Sequence, residues 1–500
     1  MGVLHSLRPV VPHTQFQAEA RAQLVAHYPD LAVSLRPWDD DLRLVWQADL
    51  DFADSVLRPL YSPVGCPVTY DPKALFRSLL LCHQRGFRSL TLWALQLRRE
   101  PVLAILSGFH PDRTPTVGLF YAFLDRLYPL LPARRLRGIV RRHRRVAKPP
   151  SGQKLPPGRG KLARCASWLL RHLAECPAST PEDIWDALLA EAVGSSARQG
   201  ILPTESPLAA AADGSLLRSG AHSHGHKACA CSERRCSCPR FFSDPTARVG
   251  YDSTNNCFLL GRSAYALTDT DSGHHLPLIL TMGPANRHDA LGLMYSLRKA
   301  RHCLHRAGVS LGTAFADSAH DHAPVYRFLI ALGLEPVFDR HGKLPQPLPA
   351  VIEHLTRAGL TLSPEGRPRC AHGFLHSAGH ARPGVRLFQC PRRDPDNCPC
   401  SGCPLRDGRR WTIDVRQQPR LLAVNPQTEP AGRRRYKRRT NVERTFSLIT
   451  SASGLDTARH RRDYVWHGRL AVAAILVHAR VWSRSDRVST DDWLTAWAQS

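Results

Sequence analysis

The chain has 500 residues, with 68 Lys and Arg against 42 Asp and Glu and a formal net charge of +26 at pH 7. Self-repulsion of that size destabilises a compact fold, which excludes an enzyme of small neutral substrates as the default and makes a polyanion, nucleic acid first, the expected partner. Hydrophobic residues make up 43% and charged residues 22%, a globular composition with length for about two to four domains.

The N-terminus MGVLHSLRPV has no signal-peptide core, and the longest clean apolar run, Leu470 to Val477, falls far short of the roughly 20 residues a membrane helix needs. The expectation is a cytoplasmic protein without a membrane partner. From Asp71, the stretch YDPKALFRSLLLCHQRGFRSLTLWALQLRREPVLAILSGF places Leu75, Leu79, Leu80, Leu92, Leu95 and Ile105 at helical spacing, and TVGLFYAFLDRLYPLL follows behind Thr114-Pro115. Residues 1–133 therefore read as an all-helical N-terminal domain, either a DNA-binding module or a plain bundle.

Between Arg134 and Lys161 there are eleven basic residues and no acidic one, so 134–206 reads as a basic linker followed by a helical connector. Arg141, Arg142, Arg144 and Arg145 are its candidates for phosphate contact. From Pro207 the texture changes to strands (LAAAADGSLLRS, CFLLGRSAYALT, LPLILTMG, GTAFADSAH), then the helix-like APVYRFLIALGL and the short strand EPVFDR. Three strands followed by strand, helix, strand predict an α/β domain with a mixed sheet. Residues 342–430, rich in Pro, Gly, Cys and His, break the rhythm as an insertion, and a long helix is predicted from Arg433 to Leu455 within a closing segment 431–500.

Nine of the fifteen cysteines fall in two groups. Cys229, Cys231, Cys236 and Cys238 could fold four thiolates around one tetrahedral Zn2+, with His222, His224 and His226 just upstream; a loop of reduced cysteines is the alternative. Cys390, Cys398, Cys400 and Cys403, with Cys370 and His372 before them, form the second candidate. Both groups interrupt segments too rich in Gly and Pro to pack well, which favours a structural role over a catalytic one.

Phosphodiester chemistry needs an activated oxygen nucleophile and stabilisation of the leaving oxygen, which paired divalent metals on convergent carboxylates supply. Asp213 in AAAADGSLLRS and Asp317 at the end of an apolar strand are costly placements unless they cap, pair or bind a metal. For Asp213, followed by Gly214, a turn is the plainer explanation, and for Glu443 an ion pair with Arg439 at i,i+4. Asp252 in GYDSTNN is the rival for the first acidic position.

The run YKRRTNVERTF, with Tyr436, Arg439 and Glu443 spaced as Tyr-x2-Arg-x3-Glu, resembles the signature of DDE transposases of bacterial insertion sequences. The similarity extends from about Asp71 to Arg480: DPKALFRSLLL resembles their N-terminal helical domain, ADGS the first acidic strand, SDPTARVGYDS with FLLGRSAYALT and LPLILTMGPANRHD the next strands, and ADSAHD the second acidic strand. The resemblance implies an RNase H-like, retroviral-integrase-type core over 207–341, interrupted by the insertion and completed by 431–500. Asp213, Asp317 and Glu443 would hold Mg2+ or Mn2+ there. It implies a homodimer on double-stranded DNA that cuts the terminal inverted repeats of its element and joins them to target DNA, with Tyr436, Arg439 and the neighbouring Arg435, Lys437 and Arg438 near phosphate. One departure stands out: the related signature has Lys seven residues after the Glu, where this chain has Thr450, so a hairpin-forming route does not carry over. Two other readings remain: a non-catalytic DNA-binding derivative of such a protein, and a metal-dependent endonuclease that cuts without joining.

Overall fold

In a computed structural model of the chain, the residues described are 10–62, 68–128, 140–141, 159–173, 183–223, 225–227, 229–233, 236, 238, 240–253, 255–391, 405, 410–485 and 489–498. Arg142, Arg144, Arg145, Cys398, Cys400 and Cys403 lie outside them.

Residues 10–128 are helical wherever they are regular, as the apolar spacing predicts: α1 His13–His27, α2 Asp39–Gln47, α3 Pro72–Gln84, α4 Leu90–Arg99, α5 Pro101–Ser107 and α6 Val117–Arg126. Helix α3 starts where its sequence says it should. Asp71 accepts a hydrogen bond from the Lys73 amide and Pro72 occupies the first turn, where its missing N–H costs nothing. Every residue from Lys73 to His83 is buried, so α3 is the axis of the bundle. The Lys73 ammonium survives there because Asp51 and Asp54 each lie 2.7 Å from Nζ. Helix α5 ends at Gly108, whose φ of 91° is open to glycine and lets the Phe109 amide reach back to the Ala104 carbonyl.

Two further helices, α7 Lys161–Arg171 and α8 Asp183–Arg198, lead to a six-stranded mixed sheet. Its strands are β1 Leu208–Arg218, β2 Arg248–Asp252, β3 Cys257–Asp269, β4 Pro277–Pro284, β5 Leu311–Ala316 and β6 Glu335–Phe338. Strand β3 pairs antiparallel with β1 along one edge, and with β2 and then β4 along successive halves of the other. On the far side of β1, β5 and then β6 run parallel to it. The predicted order is met, with one addition: NRHDALGLMYSLRKARHCLHR, a segment without a sequence assignment, forms α9 Asp289–Arg306 between β4 and β5. Parallel β5 and β6 are joined through α10 Ala323–Ala331, as such pairs require. The protein is thus an α/β fold built on a mixed sheet.

The insertion carries a helix at Pro349–Arg357 and a three-stranded antiparallel sheet of His376–Arg382, Val385–Gln389 and Trp411–Asp414. Buried Arg386 ties the insertion together internally, binding Glu429 at 2.7 Å and the Leu422 carbonyl, and Arg420 fastens it to the sheet by gripping Asp321 beside β5.

The long helix read from Arg433 to Leu455 is helical but shorter and not uniform. It runs as an α-helix over Pro430–Tyr436, a 3-10 turn over Lys437–Arg439, α11 Thr440–Phe446, and a π turn over Ser447–Ser451. It stops before Leu455 because Gly454 takes a left-handed φ of 66° and the Leu455 amide closes back on the Thr450 carbonyl. The apolar run Leu470–Val477 lies in α12 Asp463–Ser485, which packs on α2, α3, α6, α8 and β4. One apolar core runs from Phe16 through the sheet to Trp497. No helix among the described residues is long and apolar enough to cross a membrane.

Candidate active site

The three predicted carboxylates come from three elements that meet at the middle of the sheet. Asp213 lies in the central strand β1, where five apolar residues precede it and hold that end of the strand in the core. Its Oδ1 accepts from the Gly214 amide at 2.8 Å. Asp317 follows the last residue of parallel β5 and caps the 3-10 turn Ser318–His320, accepting from the Ala319 amide. Glu443 is on α11, which lies against β1 and β3 and is pinned there by Thr445, whose hydroxyl donates to the His275 carbonyl at 2.7 Å.

Arg439 ties them together. Its guanidinium is 3.3 Å from Asp213 Oδ2 and also binds the Glu443 carboxylate. Burial lowers its pKa, but Tyr436, Asp213, Glu443 and Asp317 together outweigh that and raise it, so one cation feels all three carboxylates. The i,i+4 ion pair expected of Glu443 alone is present, and it is one arm of a larger cluster. Burial, reinforced by the Asp317 charge and opposed by the Gly214 amide and Arg439, pushes the Asp213 carboxyl up to about 6. Asp317 moves the other way. Burial would raise it, but the hydrogen bond and charge of His320 dominate and bring it below the usual carboxylate range.

Sequence reasoning missed a layer behind these groups. His320 is fully buried, with Nδ1 2.6 Å from Asp317 Oδ1 and Nε2 2.7 Å from the Tyr265 hydroxyl. Tyr265 pairs with Gly214 across β1 and β3. Asp289, at the start of α9, faces the same pair. Burial raises its pKa, with His320 opposing and Asp317 adding. A Cβ at position 214 would lie 2.7 Å from Asp289 Oδ1, so the glycine of ADGS is what admits this fourth carboxylate to β1. A His three residues after an acidic strand end was the available signal for His320; for Asp289 there was none beyond a helix start.

Asp252 does not join the site. It closes the β2–β3 turn by accepting from the amide and side chain of Asn255. In β3 its partner is Cys257, whereas Asp213 is opposite Ala266, nine residues on and about 30 Å away at roughly 3.3 Å per residue. Thr450 turns inward, its hydroxyl donating to the Phe446 carbonyl at 2.7 Å in the π turn.

The basic run is divided. Arg435 makes a two-pronged bridge to Glu335 at 2.7 and 3.0 Å, Arg438 binds Asp271, and Arg439 serves the carboxylates, while Arg433, Arg434 and Lys437 are exposed. Tyr436 packs on a small apolar cluster of Ala209, Phe315, Val337 and Val424. Of the linker arginines, Arg141 lies in a two-residue strand, Val140–Arg141, paired with Arg240–Phe241.

The sulfurs of Cys229, Cys231, Cys236 and Cys238 all lie within 4.8 Å of one another, a group that could hold a metal ion. Cys370 and Cys390 pack instead against the main core.

A consequence for stability follows from Asp213. A carboxyl raised from 3.8 to about 6 on folding costs stability as the pH rises past its unfolded value, because the unfolded state ionises first. The penalty is absent below about pH 4, grows between about pH 4 and 6, and is complete above that. Asp213→Asn should therefore stabilise the chain by on the order of 2 kcal/mol near pH 7 and by nothing near pH 4. Denaturant melts at the two pH values check this; an equal effect at both would contradict the assignment of Asp213 as a destabilised buried acid. A scan against protein-family models and a search of curated proteins both return no match, so the reading of this site rests on its own geometry.

Proposed function

We propose that the protein is a DNA transposase with an RNase H-like catalytic core, which cuts the terminal inverted repeats of an insertion sequence and joins them to target double-stranded DNA, acting as a homodimer in the cytoplasm. The observation that carries this reading is the convergence of Asp213, Asp317 and Glu443 on Arg439 from a central strand, its parallel neighbour and a later helix. The strand order supports it: antiparallel β3 and β4 on one side of β1, parallel β5 and β6 on the other.

In its chemistry the donor set suits Mg2+ or Mn2+, while among the described residues only the four cysteines form a cluster whose metal-ligating atoms all lie within 4.8 Å of one another. All three groups are carboxylates, and the repulsion between Asp213 and Asp317 that helps hold Asp213 near 6 is what a divalent cation relieves. When bound, such ions would supply Lewis-acid activation of an attacking oxygen and stabilisation of the leaving one. The chain's own residues prepare the site. His320 and the Ala319 amide both hold Asp317 Oδ1, which fixes that carboxylate in place. Arg439 offsets part of the cluster's negative charge without DNA and lies two residues from exposed Lys437, placed to transfer its charge to a phosphate. The helices before residue 133 and the segment 134–161 would carry further contacts to DNA. Zn2+ is the ion that the four-cysteine group would take.

The deciding experiment supplies DNA carrying the inverted repeats that flank the coding region, together with a target plasmid and Mg2+. Joined product is expected. Cut ends without joining would make the protein an endonuclease, and binding without cutting a non-catalytic derivative. Binding itself should be strongly salt-dependent: with about eight phosphate contacts, affinity should fall by about 10^3-fold or more between about 50 and 200 mM salt. A flat dependence in a titration by fluorescence anisotropy would mean that the charge excess serves something else.

A further inference from the structure

We propose that Cys229, Cys231, Cys236 and Cys238 bind one Zn2+ as a structural tetrathiolate site, and that this ion staples the loop with which the two-residue strand Val140–Arg141 pairs.

The four thiols sit on two short arms. Cys229 and Cys231 follow the strand His226–Lys227, and Cys236 and Cys238 precede Arg240–Phe241. These strands pair antiparallel, His226 opposite Phe241 and Lys227 opposite Arg240, so the loop is closed at its base. At its tip the arms face each other sulfur to sulfur, Cys229 to Cys236 and Cys231 to Cys238, each at 3.4 Å. That is far beyond the roughly 2.05 Å of a disulfide. A tetrahedral ion with zinc–sulfur bonds of about 2.3 Å sets its sulfurs about 3.8 Å apart, which falls between 3.4 Å and the 4.8 Å that encloses all four.

Apolar packing contributes little to this loop among its described residues. Its cysteines are exposed or half-buried and Phe241 is exposed, so there is no apolar cover among the described residues of the two arms to pay the cost of ordering them. Zinc binding supplies folding free energy directly to small segments of this kind, with release of the thiol protons. Four thiolates around a divalent ion leave a net charge of −2, and Lys227 is placed to offset part of it: its ammonium donates to the Cys231 carbonyl at 2.9 Å and to the Glu233 carbonyl. Thiolate ligands alone favour zinc or iron over magnesium.

The ion's second role follows from the pairing. Arg240–Phe241 is the middle strand of three, with His226–Lys227 on one side and Val140–Arg141 on the other. Loosening the cysteine arms frees the strand that anchors Arg141.

The test uses the full chain purified under reducing conditions. The Cys229→Ser/Cys236→Ser double variant should carry one equivalent of zinc less than the unaltered chain by elemental mass spectrometry; equal zinc, or iron in its place, overturns the proposal. Should the variant fail to fold, the unaltered chain gives the answer by alkylation mapped by peptide mass spectrometry. All four cysteines should react slowly until a chelator is added and rapidly after it, while exposed Cys257, outside the group, reacts alike in both. Unchanged rates at the four overturn the proposal. Chelation should also speed hydrogen exchange at residues 140–141, and exchange that stays constant there would remove the stapling role. Zinc at these cysteines would stand whether or not Asp213, Asp317 and Glu443 cut DNA, since metal content and alkylation are read without substrate.

Discussion

Replacing Asp317 by Asn or Glu443 by Gln should lower Mg2+-dependent cleavage of duplex DNA by about a thousandfold or more, the scale on which removing even one preorganised charge-stabilising group acts. Each amide keeps the shape of the acid and removes its charge. In Asp317→Asn the amide oxygen can still accept from the Ala319 N–H at the capping position, and Glu443 is half-exposed on a helix face, so neither change should unfold the chain. Cleavage of supercoiled plasmid across an Mg2+ titration, alongside DNA affinity, separates the two functions: turnover collapses while affinity and its salt dependence stay. A variant that cuts nearly as fast as the unaltered chain would take that carboxylate out of the site. Loss of cleavage together with a shifted unfolding midpoint would point to a structural role instead.

The largest effect on stability is expected at Arg262. Its side chain is 2% exposed and lies in β3 between two acids, bidentate to Asp244 at 2.6 and 2.7 Å and bonded to Asp463, with Thr246 completing the shell. Burial would lower its pKa, yet the two carboxylates more than reverse this and raise it. Arg262→Met removes the cation and leaves two carboxylates facing each other, one of them fully buried, and should cost about 3–5 kcal/mol. Adding Asp244→Asn should recover part of the loss, since one unpaired charge goes with it. Urea denaturation checks both; a single variant whose midpoint hardly moves would show that the acids find other partners. Asp463 opens α12, so the same substitution should loosen the attachment of that helix to the sheet.

Much of this architecture is legible in the sequence, and the parts that are not share a cause. The strands around Asp213 and Asp317 can be read because apolar runs such as LAAAA and TAFA bury on both faces and the acids mark where they stop. Helix α3 is legible from Asp71-Pro72 and its leucine spacing. The choice of Asp213 over Asp252 was open until the register of β3 separated them, because both residues sit next to apolar strands and only pairing distinguishes the ends of a sheet. His320 is marked only by its place three residues after Asp317 and Asp289 only by a helix start, because each acquires its meaning from a residue far away in the chain, Tyr265 for one and Gly214 for the other. Charge was the most deceptive signal. Six of the seven residues from Arg433 to Arg439 are basic, which reads as one DNA-facing block, but half of them are neutralised within the fold by Glu335, Asp271, Asp213 and Glu443.

Helix α12 bears on how the chain is made. Its buried Arg469 holds His83 at 3.0 Å and the Phe87 and Arg88 carbonyls at the end of α3, and its His478 and Trp482 both meet Ser196 of α8. These partners lie some hundreds of residues upstream. Domains synthesised first usually fold while the ribosome is still working, but here the early helices lack their central packing partner until residues past 480 have emerged. They must wait with apolar faces uncovered, in a chain many of whose contacts are distant in sequence and therefore slow to form. Nascent copies should depend on holding chaperones, and chains terminated before α12 should be cleared by proteolysis instead of persisting as free DNA-binding fragments.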